Sequence, residues 1–330
     1  MKELERITKL IIDEKVANWS ILSTALKEQN KFSELFFDVE SLSDQQKQDL
    51  LKTFVLSLHS EASGLVDAVN YKDHRLVGHP VDKQKIVYKS VDAYRYILAI
   101  LNLWGISASE FSTALTQKDD FLHYRHKLSQ KKWDGQPIVL FDVDDVLAEF
   151  RKSFCNYVTL ESGIFIDPEN NEYYNVSKFK KHGLSNEYFF RTFIENHGLL
   201  LLEKNEIYSN LLKDLKSRGY WIQILTARPE SNLTAFYDTY SWLTCHGIDA
   251  DGVAFTPEKL TWAASQPFYS EAKYFAVDDS AKHAAEYVKH GIPVVVPQKS
   301  YNSEVAGLEN ITYVPAGSNP LDFMQKLFAL

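Results

Sequence analysis

Cysteine is nearly absent from this chain. Its 330 residues contain only Cys155 and Cys245. Such a pair forms neither a disulfide framework nor a metal-type cluster, and it suits a reducing cytosol. Basic charge is not in excess either. The net charge is -8, which argues against general nucleic-acid or membrane binding and leaves room for a local basic pocket. No apolar run is long enough to span a bilayer. The opening stretch "MKELERITKLIIDEKVANW" is charged throughout and lacks a signal-peptide core, so a cytoplasmic location is expected. Repeats and low-complexity tracts are missing too. Length alone suggests two domains, each large enough to bury a core.

The two halves differ in pattern. Residues 1–132 read as an all-α domain. "SDQQKQDLLKTFVLSLHSEASGLVDAVNYK" opens on Ser43, a good N-cap, and spaces its leucines, Phe54 and valines as a helix does. "KQKIVYKSVDAYRYILAILNLWG" repeats the pattern and stops at Gly105. "SASEFSTALTQKDDFLHYRHKLSQKKW" is a third long helix. Asp134-Gly135 and Pro137 then mark a turn and an expected domain boundary. From residue 136 to 330, short apolar runs alternate with helices: "IVLFDVD", "YWIQILTA", "GVAF", "YFAVDDS" and "PVVVP" read as strands. That alternation predicts an α/β fold with a parallel sheet covered on both faces. Ligands in such sheets bind at the carboxyl ends of the strands.

Acids collect at those ends. The run "VLFDVDDVLAEF" finishes its strand on Asp142 and continues with Asp144 and Asp145. "IQILTARPE" ends a strand at Thr226, and "FAVDDS" ends one at Asp278 and Asp279. Between them "TPEKLTW" carries Lys259 in the first turn of a helix that Thr256 can cap and Pro257 can open. Lys273 is the competing lysine, but it abuts the last of these strands and reads as a solvated flank.

In that order the four segments resemble the motifs of the haloacid dehalogenase superfamily of phosphotransferases, over roughly residues 136–330. Aspartate at position 145, where the family often has glycine, is a departure. The resemblance implies a Rossmannoid sheet with a small helical cap. It also implies Asp142 as nucleophile, because transfer to an aspartate needs an ionised carboxylate aimed at phosphorus. A hard cation, Mg²⁺, would offset the repulsion between that carboxylate and the phosphate. Asp142, the backbone carbonyl of Asp144 and Asp278 would hold it, with Asp279 as a direct, water-mediated or outer ligand. Asp144 would protonate the leaving oxygen and later activate water. Thr226 would donate to the phosphoryl group, and Lys259 would neutralise the nucleophile and the phosphate.

Substrate choice in this superfamily usually lies in a cap inserted between the first two motifs, here about residues 151–203. The insert is rich in rings (Phe154, Tyr157, Phe165, Tyr173, Tyr174, Phe179, Tyr188, Phe189, Phe190 and Phe193) and carries Arg151, Lys178, Lys180, Lys181 and Arg191. Rings stack on bases and basic groups hold phosphates, although a small cap also needs rings for its own core. "FDVDDVLAEF" together with "LTARPE" resembles the 5'-deoxyribonucleotidase branch, and the spacing from Lys259 to Asp278 resembles that of polynucleotide 3'-phosphatases. Arg151, Ala227 and Arg228 are the expected substrate-binding residues.

The helical half resembles the all-α nucleoside triphosphate pyrophosphatases, the MazG-like and dimeric dUTPase group. Those place four carboxylates around Mg²⁺ through E-x-x-E and E-x-x-D. Here "SEASGLVDA" offers Glu61 but Gly64, and "YKSVDAY" offers Lys89 before Asp92. Asp67 lies near Glu61 on the same helix. "YRHKLSQKKW" resembles a family segment with Tyr, Lys and Asn, with Lys131 at the asparagine position. Half the acid set survives, leaving Glu61 and Asp92 as a second candidate site, and a lysine within such a cluster would oppose a metal. The resemblance implies a homodimer through this domain.

The expected function is therefore Mg²⁺-dependent hydrolysis of a small phosphomonoester, a nucleotide above all. Three alternatives stand beside it: a 3'-phosphatase on nucleic-acid ends, a bifunctional enzyme that also releases pyrophosphate, and a nucleotide-binding scaffold.

Overall fold

The computed structural model describes residues 21–69, 81–169 and 185–324. The chain divides into two compact units, Met1–Thr116 and Gln117–Leu330. The first unit is helical. It contains α1 (residues 21–33), α2 (Asp44–Val66), α3 (Lys83–Leu103) and the start of α4 (Ala108–Ser129). Ser43 caps α2 through a capping box with Gln46, as its sequence foretells. After α3 the chain turns at Gly105, whose φ of 65° only glycine adopts freely. Leu26, Leu98 and Leu101 form this unit's small core. No single helix among the described residues is long and apolar enough to cross a membrane.

The second unit begins at Gln117, inside α4, and not at the turn near residue 136. Side chains on the later half of α4 explain the shift. Phe121 packs edge-on against Phe236 at 5.1 Å and Tyr240 at 4.9 Å. The Tyr124 hydroxyl donates to the Ile248 carbonyl at 2.9 Å. Lys131 reaches Asp249 and the Ala250 carbonyl. The Tyr and Lys of "YRHKLSQKKW" thus fasten this helix end to the second unit.

A six-stranded sheet forms the body of this unit, in the order β3-β2-β1-β4-β5-β6. The strands are β1 (Ile138–Phe141), β2 (Trp221–Thr226), β3 (Gly252–Phe255), β4 (Tyr274–Val277), β5 (Val294–Pro297) and β6 (Ile311–Val314). All neighbours are parallel. Both faces are covered, so the strands read as continuous apolar runs. Val139 and Phe141 enter one core with Phe154, Leu211 and Trp242, while Ile138 and Leu140 enter another with Ala263 and Tyr287. Sequence reading missed β6, whose "ITYV" is short and mostly half-buried. Helices α5 (Phe150–Ser162), α6 (Asn186–Glu195), α7 (Glu206–Ser217), α8 (Leu233–Cys245), α9 (Lys259–Ala264), α10 (Ala281–Lys289) and α11 (Leu321–Met324) are the α-helices among its other described residues.

Between β1 and β2 lies the expected insert, and its rings mostly pack on each other. Phe154, Phe189 and Phe193 are buried, and Phe154 meets Phe193 at 5.4 Å and Phe190 at 6.1 Å. Tyr173, Tyr174, Phe179, Lys178, Lys180 and Lys181 lie outside the described residues.

Candidate active site

The carboxyl ends of β1, β2 and β4 converge on one cavity of about 260 Å³. Asp142 follows β1 directly, and its amide continues the ladder by donating to Val277 at 3.0 Å. Asp278 follows β4 and donates likewise to Val295 at 3.2 Å. Strand ends thus fix both backbones, and the side chains inherit that rigidity.

Lys259 joins them. Its ammonium is 1% exposed and lies 2.8 Å from Asp142 Oδ1 and 2.8 Å from Asp278 Oδ2. Lys273, the competitor, is exposed beside the ring of Phe275. One detail of the sequence reading changes: α9 begins at Lys259 itself, with Glu258 at the N-cap, and Thr256 instead accepts from the Glu258 amide at 3.1 Å. The lysine therefore enters at the very first helical position.

Asp142, Asp278 and Asp279 are all buried, with carboxylate oxygens within 4.8 Å of one another. Burial pushes the Asp142 carboxyl up to about 6, against the pull of Lys259. Asp279 is raised well above the usual carboxylate range by burial and by its neighbours Asp142, Asp145 and Asp278. Burial would raise Asp278 too, but Lys259 and His283 outweigh it and hold that carboxyl at about 2. Lys259 thus serves Asp142 and Asp278, His283 stands by Asp278, and Asp279 rests on the Tyr301 hydroxyl. Hard divalent cations are held by oxygen clusters of this kind.

Asp144 stands at the cavity wall and accepts two guanidinium bonds from Arg228, at 2.7 Å and 3.0 Å. Arg228 is buried and donates its remaining arm to Thr239 at 3.1 Å. The expected substrate-binding arginine is therefore engaged with the expected acid–base residue. Thr226 is fully buried at the end of β2, and its hydroxyl accepts from the Arg228 amide at 3.3 Å. Ala227 and Arg151 both line the cavity.

Several contributors, some of them not singled out in the sequence, complete the site. Tyr301, on the loop after β5, donates its hydroxyl to Asp279, and the same oxygen lies 3.2 Å from the Asp145 carboxylate. Arg151 stacks over its ring at 4.4 Å. Asp145 adopts a left-handed backbone, φ 56°, where the related motif often has glycine, and its carboxylate accepts from the Arg151 amide at 2.9 Å. His283 lies on α10 with Nδ1 3.5 Å from Asp278. Phe150, Phe190 and Leu199 add an apolar wall. The strand-end rule could have found Tyr301, since it follows β5; His283 carries a weaker signal, four residues past Asp279 on a capped helix.

The second candidate site is a different matter. Glu61 and Asp92 do line one pocket of the first unit. However, the Lys89 ammonium sits 2.7 Å from Glu61, and a Cβ added at Gly64 would meet the Lys89 stem at 3.2 Å. Lysine thus occupies the space a metal would need, and the acid pair does not fit a divalent cation.

No family model matches the chain, and no curated protein matches it. Among the solved structures similar to it are hydrolases named for the haloacid dehalogenase family. One is the haloacid dehalogenase-like family protein SP0104 from Streptococcus pneumoniae, at 15% identity over 58% of this chain and 98% of that one, TM-score 0.42. Another is the HAD-hydrolase YfnB from Bacillus subtilis, solved with magnesium, at 13% identity over 59% and 99%, TM-score 0.40. A third is a HAD family hydrolase from Deinococcus radiodurans R1, solved with phosphate and sodium, at 12% identity over 58% and 95%, TM-score 0.41.

Proposed function

We propose that the second unit is a phosphatase of the haloacid dehalogenase type. It would hydrolyse a phosphomonoester through an aspartyl-phosphate at Asp142, with a nucleotide as the substrate. The observation that carries this reading is Lys259, buried between Asp142 and Asp278 at 2.8 Å from each, at the floor of an acid-lined cavity. Such a lysine keeps a nucleophilic carboxylate ionised in a dry site and offers charge to the transferring group.

The buried acid cluster fits Mg²⁺, because it carries more negative charge than its neighbours balance. Asp142 and Asp278 would hold the ion with the Asp144 carbonyl, and Asp279, tied to Tyr301, would serve as a direct or outer partner. Mg²⁺ there would neutralise charge on the phosphoryl oxygens and the nucleophile.

The residues divide the work as follows. An Asp142 oxygen bonds to phosphorus as the ester P–O bond breaks, and the leaving oxygen takes a proton from the Asp144 carboxyl. Water then attacks phosphorus, Asp144 takes its proton, and the acyl–phosphate bond breaks to release phosphate and restore Asp142. Asp144 paired with Arg228 suits the second half of this cycle, in which it must accept a proton. For the first half, that pair must loosen. Ala227 lines the cavity in which the phosphoryl group would sit, while Thr226 is fully buried, is not among the lining residues and would have to turn its hydroxyl from the Arg228 amide to reach that group. Phe150 and Phe190 line the cavity beside Arg151, which supports a planar leaving group over a bare sugar.

Phosphate release from nucleoside monophosphates, sugar phosphates and a 3'-phosphorylated oligonucleotide is the direct test. Release from mononucleotides that stops in EDTA and in Asp142→Asn is expected. Full activity in Asp142→Asn would overturn the mechanism, and a preference for the oligonucleotide or the sugar phosphates would overturn the substrate assignment.

A further inference from the structure

The loop that follows β5 meets Asp279 twice. Tyr301 donates its hydroxyl to the Asp279 carboxylate. The next residue, Asn302, donates from Nδ2 to the Asp279 backbone carbonyl at 2.8 Å. Two neighbours on one loop thus hold one acid by its side chain and by its backbone. We propose that Asn302 is a positioning residue of the metal site, fixing Asp279 so that the acid cluster takes up Mg²⁺. This role presupposes the Mg²⁺-dependent reading of the second unit and extends it to a residue that does not line the cavity.

The position calls for an amide. Asn302 is fully buried, and its side chain offers two N–H donors and an oxygen with two acceptor sites. All four are in use. The donors go to the Asp279 and Pro297 carbonyls, at 2.8 Å and 2.9 Å. The oxygen accepts from the Lys299 amide and from the Tyr313 hydroxyl, each at 3.0 Å. Aspartate would set an oxygen against two carbonyls, and a hydroxyl side chain could meet only part of the set. Pro297 closes β5 and Tyr313 lies on β6, whose register against β5 runs from Val294 with Ile311 to Pro297 with Val314. Asn302 therefore ties the Asp279 peptide to the sheet, and β6 acquires a part in the site through Tyr313.

Electrostatics explains why such a hold matters. Asp279 is buried beside Asp142 and Asp278, and Asp145 adds a further like charge. In a dry site that repulsion is poorly screened. It pushes the Asp279 carboxylate away from the others, whereas an ion must find them together. Tyr301 restrains the side chain, and Asn302 restrains the peptide from which that side chain leaves. A site ordered in advance loses less freedom when its ion binds.

Calorimetric titration of the full chain with Mg²⁺, without any phosphoester, tests this. The parent chain should bind Mg²⁺, and Asn302→Ser should weaken that binding about tenfold. Tyr313→Phe removes one of the four bonds and should weaken it about threefold, with a melting temperature close to the parent's. Phosphate release gives the second readout. In both variants the Mg²⁺ concentration for half-maximal rate should rise in step with the weaker binding, while kcat at saturating Mg²⁺ and the substrate KM stay near the parent values. A residue that served the fold alone would lower stability and leave Mg²⁺ affinity untouched. Parent-like Mg²⁺ affinity in Asn302→Ser would therefore overturn the proposal, as would a loss of kcat that saturating Mg²⁺ does not restore. Should Asn302→Ser fail to fold, Tyr313→Phe decides, and parent-like Mg²⁺ affinity there would overturn the proposal. A parent chain that binds no Mg²⁺ would overturn it too. Mg²⁺ binding weakened as expected, without phosphate release from any ester, would instead overturn the phosphatase reading and leave the role of Asn302 standing.

Discussion

Replacing Lys259 with methionine removes one charge from the most buried part of the proposed active site. Methionine approximates the length of the stem and its packing. At 2.8 Å from each of two carboxylates, the ammonium gains about 6 kcal/mol per contact at an effective dielectric near 20. Desolvation of the charges offsets most of this, so the net cost of breaking the cluster is about 3–5 kcal/mol. In the parent chain burial opposes the ammonium, but the carboxylates prevail and raise its pKa above the ordinary lysine value. The lysine's own titration therefore takes nothing away below the unfolded lysine value, and any pH dependence at mildly acidic pH comes from the acids it pairs with. In the variant the burden shifts to the acids. Asp142 is already raised to about 6, and without Lys259 both Asp142 and Asp278 move upward. A carboxyl raised in the folded state destabilises above its unfolded value of about 3.9, and the penalty fades as pH falls toward that value. Urea unfolding in EDTA should thus show the full loss near about pH 7.5 and a clearly smaller one near about pH 5. Phosphate release should vanish at both. A loss below about 1 kcal/mol at the higher pH, or one that does not change with pH, would refute the reasoning.

Three further outcomes follow from the geometry. Arg228→Lys cannot reproduce the two-point grip on Asp144 while also reaching Thr239, and steady-state kinetics should show phosphate release reduced about 100-fold with the fold intact. Tyr301→Phe deletes the hydroxyl shared by Asp279 and Asp145, so the Mg²⁺ concentration for half-maximal activity should rise about tenfold. Gly198→Ala puts a methyl 2.4 Å from the buried Phe193 ring, and denaturant unfolding should show a loss of about 1–3 kcal/mol.

How much of this was legible depended on whether the signal was local. The ends of β1, β2 and β4 could be read because an apolar run stopping on Asp142, Thr226 or Asp278 is a property of neighbouring residues. Lys259 was legible for a similar reason: a helix start after β3 places its first turn at the same end of the sheet. The limit of α4 was not legible as a domain boundary. Nothing within "TALTQKDDFLHY" tells that Gln117, Phe121 and Tyr124 face Asp238, Phe236 and Tyr240, which lie more than a hundred residues away. The turn at Asp134-Gly135 was real, with Gly135 at φ 78°, but a turn marks a change of direction and only packing marks a unit.

The same distinction explains the site residues that were missed and the unexpected partner of one that was named. Tyr301 acts through Asp279 and Asp145, 22 and 156 residues away, and its place after β5 is the one local sign of that reach. Arg228 looked like a substrate ligand because its motif ends a strand, and it does line the cavity. Its guanidinium is spent on Asp144, a partner 84 residues earlier. Asp145 carries the subtler lesson. Its backbone is left-handed, a region that glycine adopts most freely. The added carboxylate then joins the loop to Arg151 and Tyr301. A substitution that seemed only tolerated in the sequence thus ties the proposed nucleophile's loop to the rim of its own cavity.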